Sequence, residues 1–181
     1  MRSVTTKDGT EIVYQDWGDG PPVVFSHGWP LTSDAFEDQM FFLASHGYRC
    51  VAHDRRGHGR SGPSWAGHDL DTYADDLATL VDALDLEGAT LVGHSIGSGE
   101  ILRYVGRYGT KRVARLVLIS AIAPRSTLPD AAALEERTAM LEHLRAGLLR
   151  DRSQLWAELG LPFYGYNRPA ARPSASHRCR N

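Results

Sequence analysis

The run Gly93-His94-Ser95-Ile96-Gly97 sets a serine between glycines two residues to either side. A serine hydroxyl in such a turn can serve acyl transfer. It attacks a carbonyl carbon while backbone N–H groups hold the oxyanion. The five-residue pattern alone is a weak signal, so its setting decides. Ala89-Thr90-Leu91-Val92-Gly93 reads as a strand, and Ile96 to Tyr108 reads as a helix. That is the strand–turn–helix setting of a nucleophile elbow. The glycines remove side chains that would clash across the turn. The hydroxyl then stands at a helix N-terminus, where N–H groups and the dipole favour developing negative charge. The competing reading is a serine that caps an ordinary helix.

Two donors are expected for the oxyanion. One is the N–H of Ile96, the residue after the serine. The other is the N–H of Trp29, in the loop His27-Gly28-Trp29-Pro30 after the third strand. Gly28 lets the backbone turn toward the site, and Pro30 fixes the exit direction. His27 is expected to bond locally and hold this loop. His94 is expected to pack, because neighbouring side chains at an elbow point apart. Asp54 to Ser61 reads as a structural loop, since it lacks the Gly-Lys-Ser/Thr ending of a phosphate cradle. His177 and Cys179 are too few for a metal site. Arginines near the C-terminus read as solvated rather than as a nucleic-acid contact. No metal and no cofactor are expected.

The elements that must position these residues follow from periodicity. Ser3 to Thr6 and Thr10 to Trp17 read as a hairpin, with Asp8-Gly9 at a tight turn. Pro22 to Ser26 and Arg49 to His53 are short apolar strands. Between them Ser33 to His46 reads as a helix with Phe36, Met40 and Leu43 on one face, capped by Thr32 or Ser33. Asp71 or Thr72 opens a second helix whose apolar face is Leu77, Leu80, Val81 and Leu84. Val113 to Ala121 is a further strand. Ala131 to Leu149 and Arg152 to Leu159 are helical. The alternation implies a mainly parallel sheet with an N-terminal hairpin and helices on both faces.

The 181 residues suit one domain or most of one, and 42% apolar with 23% charged is an ordinary globular balance. A net charge of −2 gives no electrostatic case for nucleic acid or membrane. Two cysteines, Cys50 and Cys179, fit a reducing compartment. The N-terminus has no apolar stretch like a signal peptide, so a cytoplasmic location is expected.

His27-Gly28-Trp29-Pro30, Ala52 to Ser61, Asp71 to Leu77 and the elbow together resemble the cofactor-free (non-haem) chloroperoxidase and arylesterase branch of the α/β hydrolases. Gly106 to Thr110 and Asp151 to Leu155 continue the resemblance, which runs from about Thr10 to Pro169. It implies a serine esterase working through an acyl-enzyme, with Ser95 as nucleophile and Trp29 and Ile96 as oxyanion donors. It also implies that hydrogen peroxide can release the acyl group as a peracid that oxidises halide. One departure is His94, where this branch often carries Phe. That shifts weight toward plain esterase activity on small esters.

The fold orders its triad as Ser, then Asp or Glu, then His. No acid strand and no histidine loop are recognisable here after the lid. The expected organisation is a hydrolase core over 1–121, a partial helical lid over 122–167 and a disordered tail over 168–181. The last strands are missing on this reading. The tail's composition resembles out-of-frame GC-rich DNA, so a frameshift near Arg168 to Ala171 is expected to have truncated the product. The rival expectation is an inactive α/β fragment that self-associates through an exposed sheet edge.

Overall fold

The computed structural model describes residues 2–122 and 131–163. The segment 168–181, with His177 and Cys179, lies outside them. Six strands form one sheet: β1 (Arg2–Thr5), β2 (Glu11–Trp17), β3 (Pro22–Ser26), β4 (Arg49–His53), β5 (Ala89–His94) and β6 (Val113–Ile119). Their order is β1-β2-β4-β3-β5-β6. β1, β2 and β4 pair antiparallel, and β4, β3, β5 and β6 run parallel.

Apolar residues alternate across the sheet because strand side chains point to opposite faces in turn. Val24, Val51 and Leu91 meet helices α2 (Leu70–Ala83) and α3 (Ile96–Tyr108) through Leu77, Leu80, Ile101 and Tyr104. Val23, Phe25, Cys50 and Val92 meet Phe36 and, from α1 (Glu37–Ala44), Met40. The parallel strands β3, β4 and β5 are therefore covered on both faces, as their continuous apolar sequences require.

Local chemistry moves three of the expected boundaries. The first turn after Thr32 is a 3₁₀ turn, Ser33–Phe36, before α1 begins. α2 starts at Leu70 rather than at Asp71 or Thr72, because the Asp69 side chain accepts from the Thr72 N–H and caps it. In the hairpin only Gly9 takes a positive φ, at 85°. Asp8 instead accepts from Thr6 Oγ1 and the Thr10 N–H, so the turn is wider than a two-residue type I′.

Two compact units divide the chain, Met1–Ile122 and Ala123–Asn181. In the second, α4 (Ala131–Arg150) and α5 (Arg152–Phe163) pack together where Gly147 admits Leu155. Within the first, β6 is an edge. Among the described residues it pairs with β5 alone, and Leu116, Val117, Leu118 and Ile119 are 38–43% exposed.

Candidate active site

β5 delivers the chain to Ser95, and α3 leaves from it. Ser95 sits at φ 53° and ψ −118°, a left-handed backbone outside the usual range of a residue with a Cβ. Its N–H donates to the Ile119 carbonyl at the end of β6, at 2.9 Å. Its side chain makes no capping hydrogen bond. This separates Ser95 from an ordinary N-cap serine, whose oxygen accepts from the first turn.

The flanking glycines have distinct reasons. A Cβ on Gly97 would overlap the Ser26 carbonyl oxygen, so α3 can approach β3 only with glycine there. A Cβ on Gly93 would sit 2.6 Å from the Gly97 oxygen and 2.7 Å from Ser98 Cα. A Cβ on Gly28 would sit 2.6 Å from His94 Nδ1 and 3.2 Å from Ser95 Cβ. The loop after β3 thus runs directly against the elbow. His94 packs against Gly28, and Ser95 lies beside it.

Trp29 lies on that loop at the sheet's C-terminal end, 37% exposed, and its peptide bond to Pro30 is cis. Ile96 is the first residue of α3, a position whose N–H has no partner within its own helix. The structure therefore brings Ser95, Ile96 and the loop of Trp29 to one end of the parallel strands.

His27 holds the loop from below and is wholly buried. Its Nε2 accepts from the Arg55 N–H at 3.0 Å, so Nδ1 carries the proton and donates to the Gly28 carbonyl at 2.8 Å. Burial, reinforced by the Arg55 charge, pushes its pKa down to about 3. His27 is a neutral anchor.

The loop after β4 is tied by internal ion pairs. Asp54, fully buried, accepts from the Ser33 N–H and hydroxyl and from the Arg60 N–H and Nε. Burial acts to raise its pKa, yet these donors hold the carboxyl well below the usual range. Arg56 takes both oxygens of Asp76 at 2.6 and 2.7 Å and reaches Asp8 in the hairpin turn. A structural rather than phosphate-binding loop is what these contacts describe.

Sequence reasoning passed over Glu100. This carboxylate is 0% exposed on α3, bonded to His53 Nε2 and Arg55 Nε, both at 2.8 Å. The signal was available. Gly97, Ile101 and Tyr104 mark the buried face of α3, and Glu100 falls within it at helical spacing. Among the described residues no cluster of His, Cys, Asp and Glu could hold a metal ion, and no helix is long and apolar enough to cross a membrane.

Comparison with known proteins gives consistent likenesses. The alpha/beta hydrolase fold family matches residues 21–145. A non-heme chloroperoxidase of Streptomyces lividans is 52% identical over 178 residues, covering 94% of this chain and 63% of that protein. A bifunctional esterase/perhydrolase of Acinetobacter calcoaceticus is 49% identical over 181 residues, 96% of this chain and 64% of its own length. The chain thus spans somewhat under two thirds of these relatives. Among solved structures, an esterase from Exiguobacterium antarcticum superposes with a TM-score of 0.78 at 34% identity, over 87% of this chain and 59% of that one. A bromoperoxidase from Bacillus anthracis superposes at 0.70 and 36%, over 83% and 56%.

Proposed function

This chain belongs to the alpha/beta hydrolase fold family, and from that premise we propose that Ser95 is the nucleophile of carboxylic-ester hydrolysis. Its Oγ attacks the ester carbonyl carbon and the alcohol leaves with a proton. Water then releases the acid and restores the hydroxyl. The N–H groups of Trp29 and Ile96 stabilise the oxyanion in both steps. The observation that carries this reading is the Ser95 backbone, held in a left-handed conformation between crowded glycines at a helix start. The substrates are small esters and carboxylic acids. Cys50, a buried free thiol, suits a cytoplasmic setting.

The names of the relatives extend the proposal. Hydrogen peroxide in place of water takes the acyl group, giving a peracid and free serine. The peracid then passes one oxygen atom to halide, leaving carboxylate and hypohalous acid.

Serine without an adjacent base is a poor nucleophile. Among the described residues, no histidine or carboxylate is hydrogen-bonded to Ser95. Turnover of p-nitrophenyl acetate by this chain is therefore expected near the level left when a triad member is removed, roughly 10³–10⁴-fold over water. Ser95→Ala should keep that residual rate, which the oxyanion donors and binding supply, but lose the acetyl-enzyme that mass spectrometry detects on the parent chain. Acetyl carried equally by both proteins would take Ser95 out of the chemistry. Turnover of ordinary esterase size would refute the impairment.

The exposed apolar edge of β6 favours a second reading, an inactive fragment that self-associates there. Val117→Lys puts a charge on that edge. Sedimentation across protein concentrations should show the parent chain associating and this variant monomeric. A parent that stays monomeric throughout would dismiss the second reading.

A further inference from the structure

The two proposed oxyanion donors sit on different elements, Trp29 on the loop after β3 and Ile96 at the head of α3. A catalytic hydrogen-bond pair must keep its separation closely, since a misplacement of about 1 Å can cost on the order of 10²-fold in rate. Loop and helix meet at one buried group of charges. Glu100, in the second turn of α3, is 0% exposed, and Arg55, His53 and His27 are each exposed by 1% or less. Glu100 Oε2 accepts from Arg55 Nε at 2.8 Å and lies 2.6 Å from Arg55 Nη2. The same Nη2 donates to the His27 carbonyl at 2.6 Å. Arg55 also offers its own N–H to His27 Nε2. It therefore holds the first residue of the loop twice, and holds α3 through Nε and that same Nη2. The Tyr73 ring lies under the guanidinium, 5.0 Å from its carbon.

Stability alone does not account for this arrangement. Taking two charges out of water costs several kcal/mol per ion, and a well-packed apolar substitute is often as stable. What an apolar substitute lacks is direction. A guanidinium fork bonds only along its plane, so it fixes orientation as well as distance.

We propose that Glu100 and Arg55 are positioning residues that clamp the loop of residues 27–31 to α3, setting the separation of the Trp29 and Ile96 N–H groups. The functional part rests on the reading of Ser95 given above, whereas the clamp has a test of its own. Glu100→Gln keeps the shape and removes the charge, and Arg55→Lys keeps the charge and removes the fork. Leu80→Ala, in the core between α2 and the sheet, serves as a purely destabilising comparison.

Amide hydrogen exchange reads the clamp. The Leu31 N–H closes the loop by donating to the Gly28 carbonyl at 2.9 Å. Both clamp variants should speed Leu31 exchange about tenfold or more while Val24 and Phe25 in β3 change less than about threefold. Leu80→Ala should move all three together. Leu31 exchange that is unchanged, or that rises only in step with β3, overturns the clamp. Labelling with an alkyl phosphonofluoridate reads the function: Ser95 Oγ bonds to phosphorus, fluoride leaves, and the hydroxyl proton goes to solvent. Glu100→Gln should slow the bond-forming step about tenfold with the reversible binding constant unchanged. Equal labelling rates would overturn the positioning role. Labelling is read at raised pH and high reagent concentration, where hydroxide replaces the base; a parent chain that labels no faster than Ser95→Ala there refutes the reading of Ser95, and the exchange result still decides the clamp.

Discussion

Lowering the pH from 6.5 to 4.5 is expected to cost the folded chain about 2 kcal/mol through His27. The unfolded chain takes up a proton on this imidazole below about pH 6.5. The folded chain resists until about pH 3, because burial excludes the charged form and Arg55 repels it. A base with a lowered pKa contributes stability that is complete above its unfolded value and lost as the pH falls toward the folded one. Of the buried carboxylates Asp76 is raised by its burial, so over this interval it acts against the histidine slope. Asp54 and Glu100, both lowered, begin to weigh only below that interval. His58 is shifted in the same direction by its partial burial. Urea unfolding at a series of pH values measures the slope. His27→Gln should flatten most of it, and His58→Gln should leave most of it. An undiminished slope in His27→Gln would show that another group sets the pH dependence.

A second large effect is expected at Asp76. Its carboxylate neutralises Arg56, whose side chain is 2% exposed. Asp76→Ala leaves that guanidinium buried with only Asp8, itself 53% exposed in the hairpin turn. Breaking a buried pair from one side costs about 3–5 kcal/mol, because the remaining charge stays desolvated. One residue earlier on the same helix, Asp75 binds Arg107 and the Tyr108 hydroxyl near the surface. Water competes there, so Asp75→Ala should cost at most about 1 kcal/mol. Denaturant midpoints of the two variants compare the environments directly. Equal losses would mean that Arg56 finds water or another partner once Asp76 is gone.

Much of the site was legible because its constraints are steric and local. Gly93 and Gly97 stand at spacings that only a crowded turn demands, and the strand before them and helix after them follow from periodicity. The loop of Trp29 was legible by its place after β3. Burial of charge was not. Arg55 and Arg56 follow a strand in a run rich in glycine and charge, which reads as solvated loop. Only the tertiary arrangement brings Glu100 and Asp76 from two different helices to meet them. The early start of α2 escaped for a smaller reason: Asp69, Asp71 and Thr72 are all good caps, and hydrogen-bond geometry chooses among them.

The strand order carries a consequence for how the molecule is assembled. β3 lies between β4 and β5, yet it is made before either. Its pairing with β4 requires closing the loop through α1, and its pairing with β5 waits for α2 as well. The loops of His27, Asp54 and Ser95 therefore come into register only when β5 slots in beside β3. Most of the chain-entropy cost falls before that step and most of the reward after it. The reactive end of the sheet thus cannot take shape until β5 has left the ribosome, although β1 to β4 are made well before it.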